Sequence, residues 1–297
     1  MDIGISFCLF GKKPGATGVQ ALISEEERFA QCAQNGIHRV ELALMEGYIT
    51  PGDWPAIGKM RRLAEQQGIT IHSVHGPSGS PTTRHWLADP DEAARRRNVA
   101  DRIPAMEGTL QLGARYMVVE FEAYDQWPVW PHGQKPEITY PQAVDQWRRS
   151  FDELLAAAGR LGLTLAVEIV DGAPNHLLPS LMSGLSVSEA GICFDTSHAL
   201  YGGDFMGLLK SLAPSIIATH LSDNDDLPGN AYLDRHWIPF TGVVDWPAVV
   251  REISTRSPCD CLMFEVHDPT HRQITPAYRD AINRLHSLCA AHPEGRS

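Results

Sequence analysis

The chain has 297 residues, enough for one α/β barrel of ~250 residues or for two average domains. No Gly/Ser linker or shift in composition marks a boundary, so one domain over residues 1–297 is expected; 43% hydrophobic and 21% charged residues suit a sizeable core. The net charge of −11 argues against a nucleic-acid or anionic-membrane partner, because phosphate binding usually shows as a surplus of clustered Lys and Arg.

Strand-like and helical signals alternate from the first residues onward. IGISF (3–7) has no basic leader before it, and no apolar run anywhere approaches a membrane span, so a cytoplasmic protein is expected. A capping box, Ser24 with Glu27, opens a helix that stops at Gly36, before the strand-like HRVELAL (38–44). A second helix runs from Asp53 and Pro55 to Gly68 and is followed by ITIHSV (69–74). The third helical segment carries Pro104 and Gly108 inside it and leads to ARYMVVEF (114–121). Residues 122–140 form a long connection bearing Tyr124, Trp127, Trp130 and Tyr140 among prolines, which reads either as a lid for a ring-shaped ligand or as a loop with its own small core.

A fourth helix, from about Pro141 to Leu161, ends at Gly162 and gives way to LTLAVEI (163–169). A short helical stretch around Leu177 to Gly184 precedes AGICF (190–194); a helix at Phe205 to Leu212 precedes IIATHL (216–221). After a second long connection, 222–244, come a helix at Trp246 to Ser254, the strand-like CLMFEV (261–266) and a helix at Pro276 to Ala290. Eight β-α repeats predict a closed (β/α)8 TIM barrel. Six cysteines, at 8, 32, 193, 259, 261 and 289, lack the spacing of a zinc ribbon or a disulfide framework; Cys259 and Cys261 read as buried thiols on one strand face.

Acids and histidines close the apolar runs of the C-terminal half: Glu168, then Asp195 with His198, His220 with Asp223, and Glu265. A charged group ending a buried parallel strand belongs at the C-terminal rim, where such barrels keep their chemistry. Converging carboxylates repel one another unless a cation sits among them. Glu168, Asp195, His220 and Glu265 therefore form a candidate metal site, oxygen-rich and suited to Mn²⁺, Mg²⁺, Co²⁺ or Zn²⁺. His198, three residues after Asp195, can face the same cavity, and Asp234 with His236, two apart in extended backbone, share one side; these three make a possible second site. His72 and His75 face opposite ways in a regular strand, and His75, nearer the rim, is the better candidate. Glu41, Glu46, Glu120 and Glu122 read mostly as ordinary surface acids.

Taken together, HSVHGP, AVEIVDG, GICFDTSHAL, ATHLSDN, LDRHWIPFTGVVDW and LMFEVHD, over roughly residues 70 to 268, resemble the ordered motifs of the xylose isomerase-like, or sugar phosphate isomerase/epimerase, superfamily, which includes endonuclease IV. By that resemblance Glu168, Asp195, His220 and Glu265 match the metal site of the ketose epimerases, with Glu168 and Glu265 as the acid/base pair. His198, Asp234 and His236 are similar to ligands of an additional zinc in the nuclease, and His75 to a ligand of yet another. Two departures weaken the nuclease likeness: Glu120 stands where the nuclease has a histidine, and HGPS where it has H-x-P-Y.

The resemblance implies a metal-dependent isomerase or epimerase of a small keto sugar or polyol, working through a metal-stabilised enediolate, with His75, Glu120, His198 and His236 binding substrate. Dehydration of a keto-polyol would use the same intermediate. The alternatives are an endonuclease IV-like multi-zinc phosphodiesterase and a degenerate barrel that only binds a ligand; the latter is disfavoured because every core ligand position is filled. A homo-oligomer is compatible with any of these.

Overall fold

The computed structural model describes residues 1–10, 12–15, 18–21, 23–45, 47–79, 86–123, 138–200, 203–225, 235–266 and 272–292. Glu46, Asp234 and the aromatic segment 124–137 lie outside them. Eight parallel strands form one sheet: β1 (Asp2–Ser6), β4 (Arg39–Ala43), β5 (Thr70–His75), β6 (Tyr116–Glu120), β7 (Thr164–Glu168), β8 (Ala190–Asp195), β9 (Ile216–His220) and β10 (Cys261–Phe264). Their spatial order follows the chain, with β10 beside β1. A parallel bridge from Leu221 to Phe264 closes the ring, Leu221 N–H donating to Met263 O at 2.7 Å and Glu265 N–H to Leu221 O at 3.1 Å. This is the expected (β/α)8 barrel.

Helices α1 (Glu25–Gln34), α2 (Trp54–Gln66), α5 (Tyr140–Leu161), α8 (Phe205–Leu212), α9 (Trp246–Arg256) and α10 (Pro276–Ala290) fall where capping and glycine stops place them. Ser24 Oγ accepts Glu27 N–H at 3.1 Å, and Gly36, Gly68 and Gly162 adopt the left-handed φ that closes a helix. The segment with Pro104 is two helices, α3 (Glu92–Ala100) and α4 (Ile103–Leu112), because proline lacks the N–H an interior turn needs and is tolerated in a first turn. Sequence patterning also missed a two-stranded antiparallel hairpin, β2 (Lys12–Gly15) with β3 (Gly18–Ala21), and a one-turn helix, α7 (Thr196–Leu200), after β8. The stretch around residue 180 holds a 3-10 turn, Asn175–Leu177, that runs into the four-residue α6 (Leu178–Leu181).

The main core lies between sheet and helices, while a smaller cluster of Tyr116, Val118, Ala166, Cys193, Ile217 and Ala218 fills the barrel itself. All six cysteines are free; Cys259 precedes β10 rather than lying on it, but it and Cys261 are buried as expected. No helix among the described residues is long and apolar enough to cross a membrane.

The N-terminal end of the barrel carries a polar plug. His72 Nε2 lies 3.1 Å from Asp260 Oδ1, and Arg39 and Arg115 reach Asp260 Oδ2 at 3.2 and 3.4 Å. The hydrogen bond from His72, with help from the two arginines, holds the Asp260 carboxyl well below the usual range against the opposing effect of burial. A depressed folded pKa contributes stability above the unfolded value of about 3.9, lost as pH falls through the folded value. Asp260 is partly exposed, so screening reduces the effect, and Asp260→Asn is expected to cost on the order of 1 kcal/mol at pH 7. The gap between variant and parent should close as the pH is lowered below about 3.9, which urea melts across that range will measure.

Candidate metal centre

Side chains on a strand alternate between faces. The apolar residues Val118, Ala166, Cys193 and Ala218 face into the barrel, and two positions further on, at the strand ends, stand Glu120, Glu168, Asp195 and His220. Register sets them level, Glu120 opposite Glu168 and Asp195 opposite His220. Glu265 follows Met263 by the same two steps, just past β10.

Glu168, Asp195, His220 and Glu265 each offer one ligand atom, all within 4.8 Å of one another, and all four residues are buried. His220 Nδ1 lies 2.7 Å from Glu168 Oε1 and 3.0 Å from Glu265 Oε2. Asp195 Oδ1 accepts the N–H of His198 at 2.8 Å, while its buried Oδ2 has no hydrogen-bond partner. Stranding a carboxylate oxygen in this way is costly unless a cation completes it.

The electrostatics agree. Burial alone would drive His220 toward its neutral form, but Cys193 and the carboxylates of Glu265, Glu41 and Glu168 outweigh it and hold its pKa well above the usual histidine range. Burial likewise opposes charge on His75, yet Glu168 and then Glu120 and Glu265 raise it to about 10. Burial pushes Asp195 up to about 6 and Glu120 up to about 8. Protons shared among acids and imidazoles thus supply the positive charge that this donor set requires, and a divalent ion fits the same place.

Two further groups adjoin this set: Asp195 with His198 and His236, and His75 with Glu120 and Glu168. The histidines are anchored on backbone carbonyls. Nδ1 of His75, His198 and His236 faces the carbonyl oxygens of Gly76, Ile169 and Glu265 at 2.9, 3.0 and 2.9 Å, so each donates there and turns Nε2 elsewhere. His75 Nε2 meets Glu168 Oε2 at 3.1 Å, and the His198 and His236 rings stand edge to face at 5.3 Å.

Several sequence expectations need correction. Asp223 does not join the centre; it accepts Trp246 Nε1–H at 2.9 Å and Val244 N–H at 3.1 Å and so pins the connection before α9. His236 is not in extended backbone but has φ 43°, so the i, i+2 reasoning does not apply to it; Asp234 is outside the described residues. The condition that β5 stay regular fails at His72, where the register against β4 slips by one residue, and His72 turns toward Tyr116 and the barrel's lower end while His75 meets His220 above.

Glu41 and Glu122 are not surface acids. Glu122 is buried, pairs with Arg102 at 2.7 Å and accepts the N–H groups of Gly79 and Leu87, tying down the loop after β5. Burial raises its pKa to about 7 against the pull of Arg102. Glu41, 1% exposed, lies beneath His220, with Nε2 3.0 Å from Oε1 and 3.1 Å from Oε2. Nothing in the sequence near Glu41 signals this contact.

The family model described as xylose isomerase-like TIM barrel matches residues 29–288. Among solved structures, a D-tagatose 3-epimerase-like protein superposes with a TM-score of 0.73 at 18% identity, covering 99% of both chains. The 3-keto-D-glucoside 4-epimerase of E. coli gives 0.70 at 16%, covering 97% of this chain and 99% of its own. A D-psicose 3-epimerase gives 0.70 at 13%, covering 98% and 99%. An uncharacterized protein, y4fM, of Sinorhizobium fredii is 25% identical over 225 residues, 69% of each chain. At these identities the structural likeness is one of fold.

Proposed function

We propose that this chain, which belongs to the xylose isomerase-like TIM barrel family, is a divalent-metal-dependent isomerase or epimerase of a small keto sugar or polyol. The observation that carries this reading is the buried convergence of Glu168, Asp195, His220 and Glu265 around an open Asp195 Oδ2. These four would hold Mn²⁺, Mg²⁺, Co²⁺ or Zn²⁺, since three carboxylates and one imidazole suit a hard or borderline ion. When bound, the ion supplies positive charge that polarises a carbonyl and favours loss of a proton from the neighbouring carbon. Glu168 and Glu265 are the acid/base pair, one carboxylate taking that proton and the other returning one to the opposite face or the adjacent carbon. His75, Glu120, His198 and His236 stand next to them and orient substrate hydroxyls. The shared fold with proteins named as epimerases supports the same reading. We place the protein in the cytoplasm.

Proton transfer at carbon is directly measurable. With added Mn²⁺, Co²⁺, Mg²⁺ or Zn²⁺, at least one member of a panel of ketoses and inososes is expected to take up deuterium from heavy water next to its carbonyl. Uptake with water loss instead of isomerisation would identify the dehydratase variant. Absence of exchange across the panel, together with hydrolysis of a phosphodiester, would sink the proton-shuttle reading.

A second reading has one observation in its favour, the adjoining group of Asp195, His198 and His236, which suits a second ion and hence a multi-zinc phosphodiesterase. The charge of −11 speaks against a DNA substrate, and no tight binding to duplex DNA is expected at physiological salt. Cleavage of an abasic-site duplex with steeply salt-dependent affinity would reverse the ranking.

A further inference from the structure

Three of the four histidines around the centre are anchored through Nδ1 on neutral backbone carbonyls. His220 is anchored differently. Its Nε2 faces both oxygens of a buried carboxylate, Glu41, and its Nδ1 faces Glu168 and Glu265. Glu41 comes from β4, whose partners are β1 and β5, whereas His220 ends β9 on the far side of the ring, so the contact exists only because the barrel closes. Ser73, opposite Glu41 in the register, donates its hydroxyl to Glu41 Oε2 at 2.7 Å. The His75 ring lies nearly parallel to it, 5.8 Å away centroid to centroid and tilted by 14°.

We propose that Glu41 is a positioning residue of the metal centre: it holds the His220 Nε2–H and thereby turns the Nδ1 lone pair toward Glu168, Asp195 and Glu265. The inference rests on the metal-dependent reading above. A carbonyl in that place would fix the tautomer; a carboxylate also makes the far nitrogen a stronger donor to a cation. A carboxylate buried inside the barrel, where an apolar residue would pack at lower cost, is accounted for by that gain. Ser73 keeps the carboxylate in place by occupying one of its oxygens.

The test uses the full chain, Zn²⁺ as the probe and a chromophoric chelator as competitor, with ring-nitrogen NMR of His220 in the zinc-loaded protein. Glu41→Gln keeps the shape and loses the charge, and is expected to weaken zinc binding about 10- to 100-fold. The His220 Nε2 proton signal should move upfield, as that of a hydrogen bond to a neutral acceptor. Ser73→Ala, which leaves the carboxylate in place, should weaken zinc binding by a smaller factor. If Glu41→Gln does not fold, Glu41→Asp, judged by the same two readouts, decides the question. Zinc affinity and an Nε2 proton signal both unchanged in a folded variant overturn the role of Glu41 while leaving the centre itself standing. Failure of the unmodified chain to bind any divalent ion overturns the centre, and the role of Glu41 with it.

Discussion

Replacing His220 with alanine is expected to remove most of the bound divalent metal and essentially all turnover, while the chain still folds into a barrel. His220 is fully buried, and its Nδ1 lies within 3.0 Å of two of the three carboxylates in the set. Without the ring, Glu41, Glu168 and Glu265 lose a common partner, and an uncompensated buried charge costs about 3–5 kcal/mol. The cavity adds to that cost, but a large β-α barrel has its main core between sheet and helices, remote from this ring. Far-ultraviolet circular dichroism should therefore stay barrel-like while the melting temperature falls and metal quantitation drops. Undiminished metal content in a folded His220→Ala variant would rule out the assignment of this centre.

What could be read from the sequence depended on how local the physical cause was. Alternation of strand-like runs with helices bounded by Gly36, Gly68 and Gly162 reflects backbone preferences within a few residues, and the eight strands follow from it. Glu168, Asp195, His220 and Glu265 are legible because each closes an apolar run; the structure brings these four together. Glu41 stands inside such a run, HRVELAL, rather than at its end, and its partner lies 179 residues away, so no local pattern distinguishes it from a solvated strand acid. Glu122 was hidden for the same reason, its partner Arg102 belonging to the turn before α4. The slip at His72 inverts the expected facing because one extra residue changes the parity of a strand, and parity arguments presume that no such residue is present. The helix α7 carries no separate start signal in the sequence because Asp195 has two duties: it ends β8, and its Oδ1 accepts the N–H of His198.

The acid/base assignment makes the other large prediction. Glu168→Gln and Glu265→Gln keep shape and one coordinating oxygen but lose basicity, so each is expected to lower turnover by about 10²- to 10⁴-fold even where metal is retained. The two variants should not be equivalent. Glu168 is held by two rings, with Oε1 2.7 Å from His220 and Oε2 3.1 Å from His75, whereas Glu265 meets one of them, His220, with Oε2 at 3.0 Å and has the Cys8 thiol 3.9 Å from Oε1. Loss of Glu168 therefore disturbs two imidazoles as well as the proton, and metal affinity should fall further in that variant. If the two carboxylates serve opposite faces of one carbon, each variant retains deuterium exchange with the epimer whose proton faces the surviving glutamate, while neither interconverts the pair. If instead one carboxylate moves the proton between adjacent carbons, a single variant abolishes exchange with both substrate and product and the other affects turnover through metal binding alone. Exchange and turnover measured side by side with each member of an interconverting pair separate the two, and wild-type turnover in both variants would exclude Glu168 and Glu265 from the chemistry.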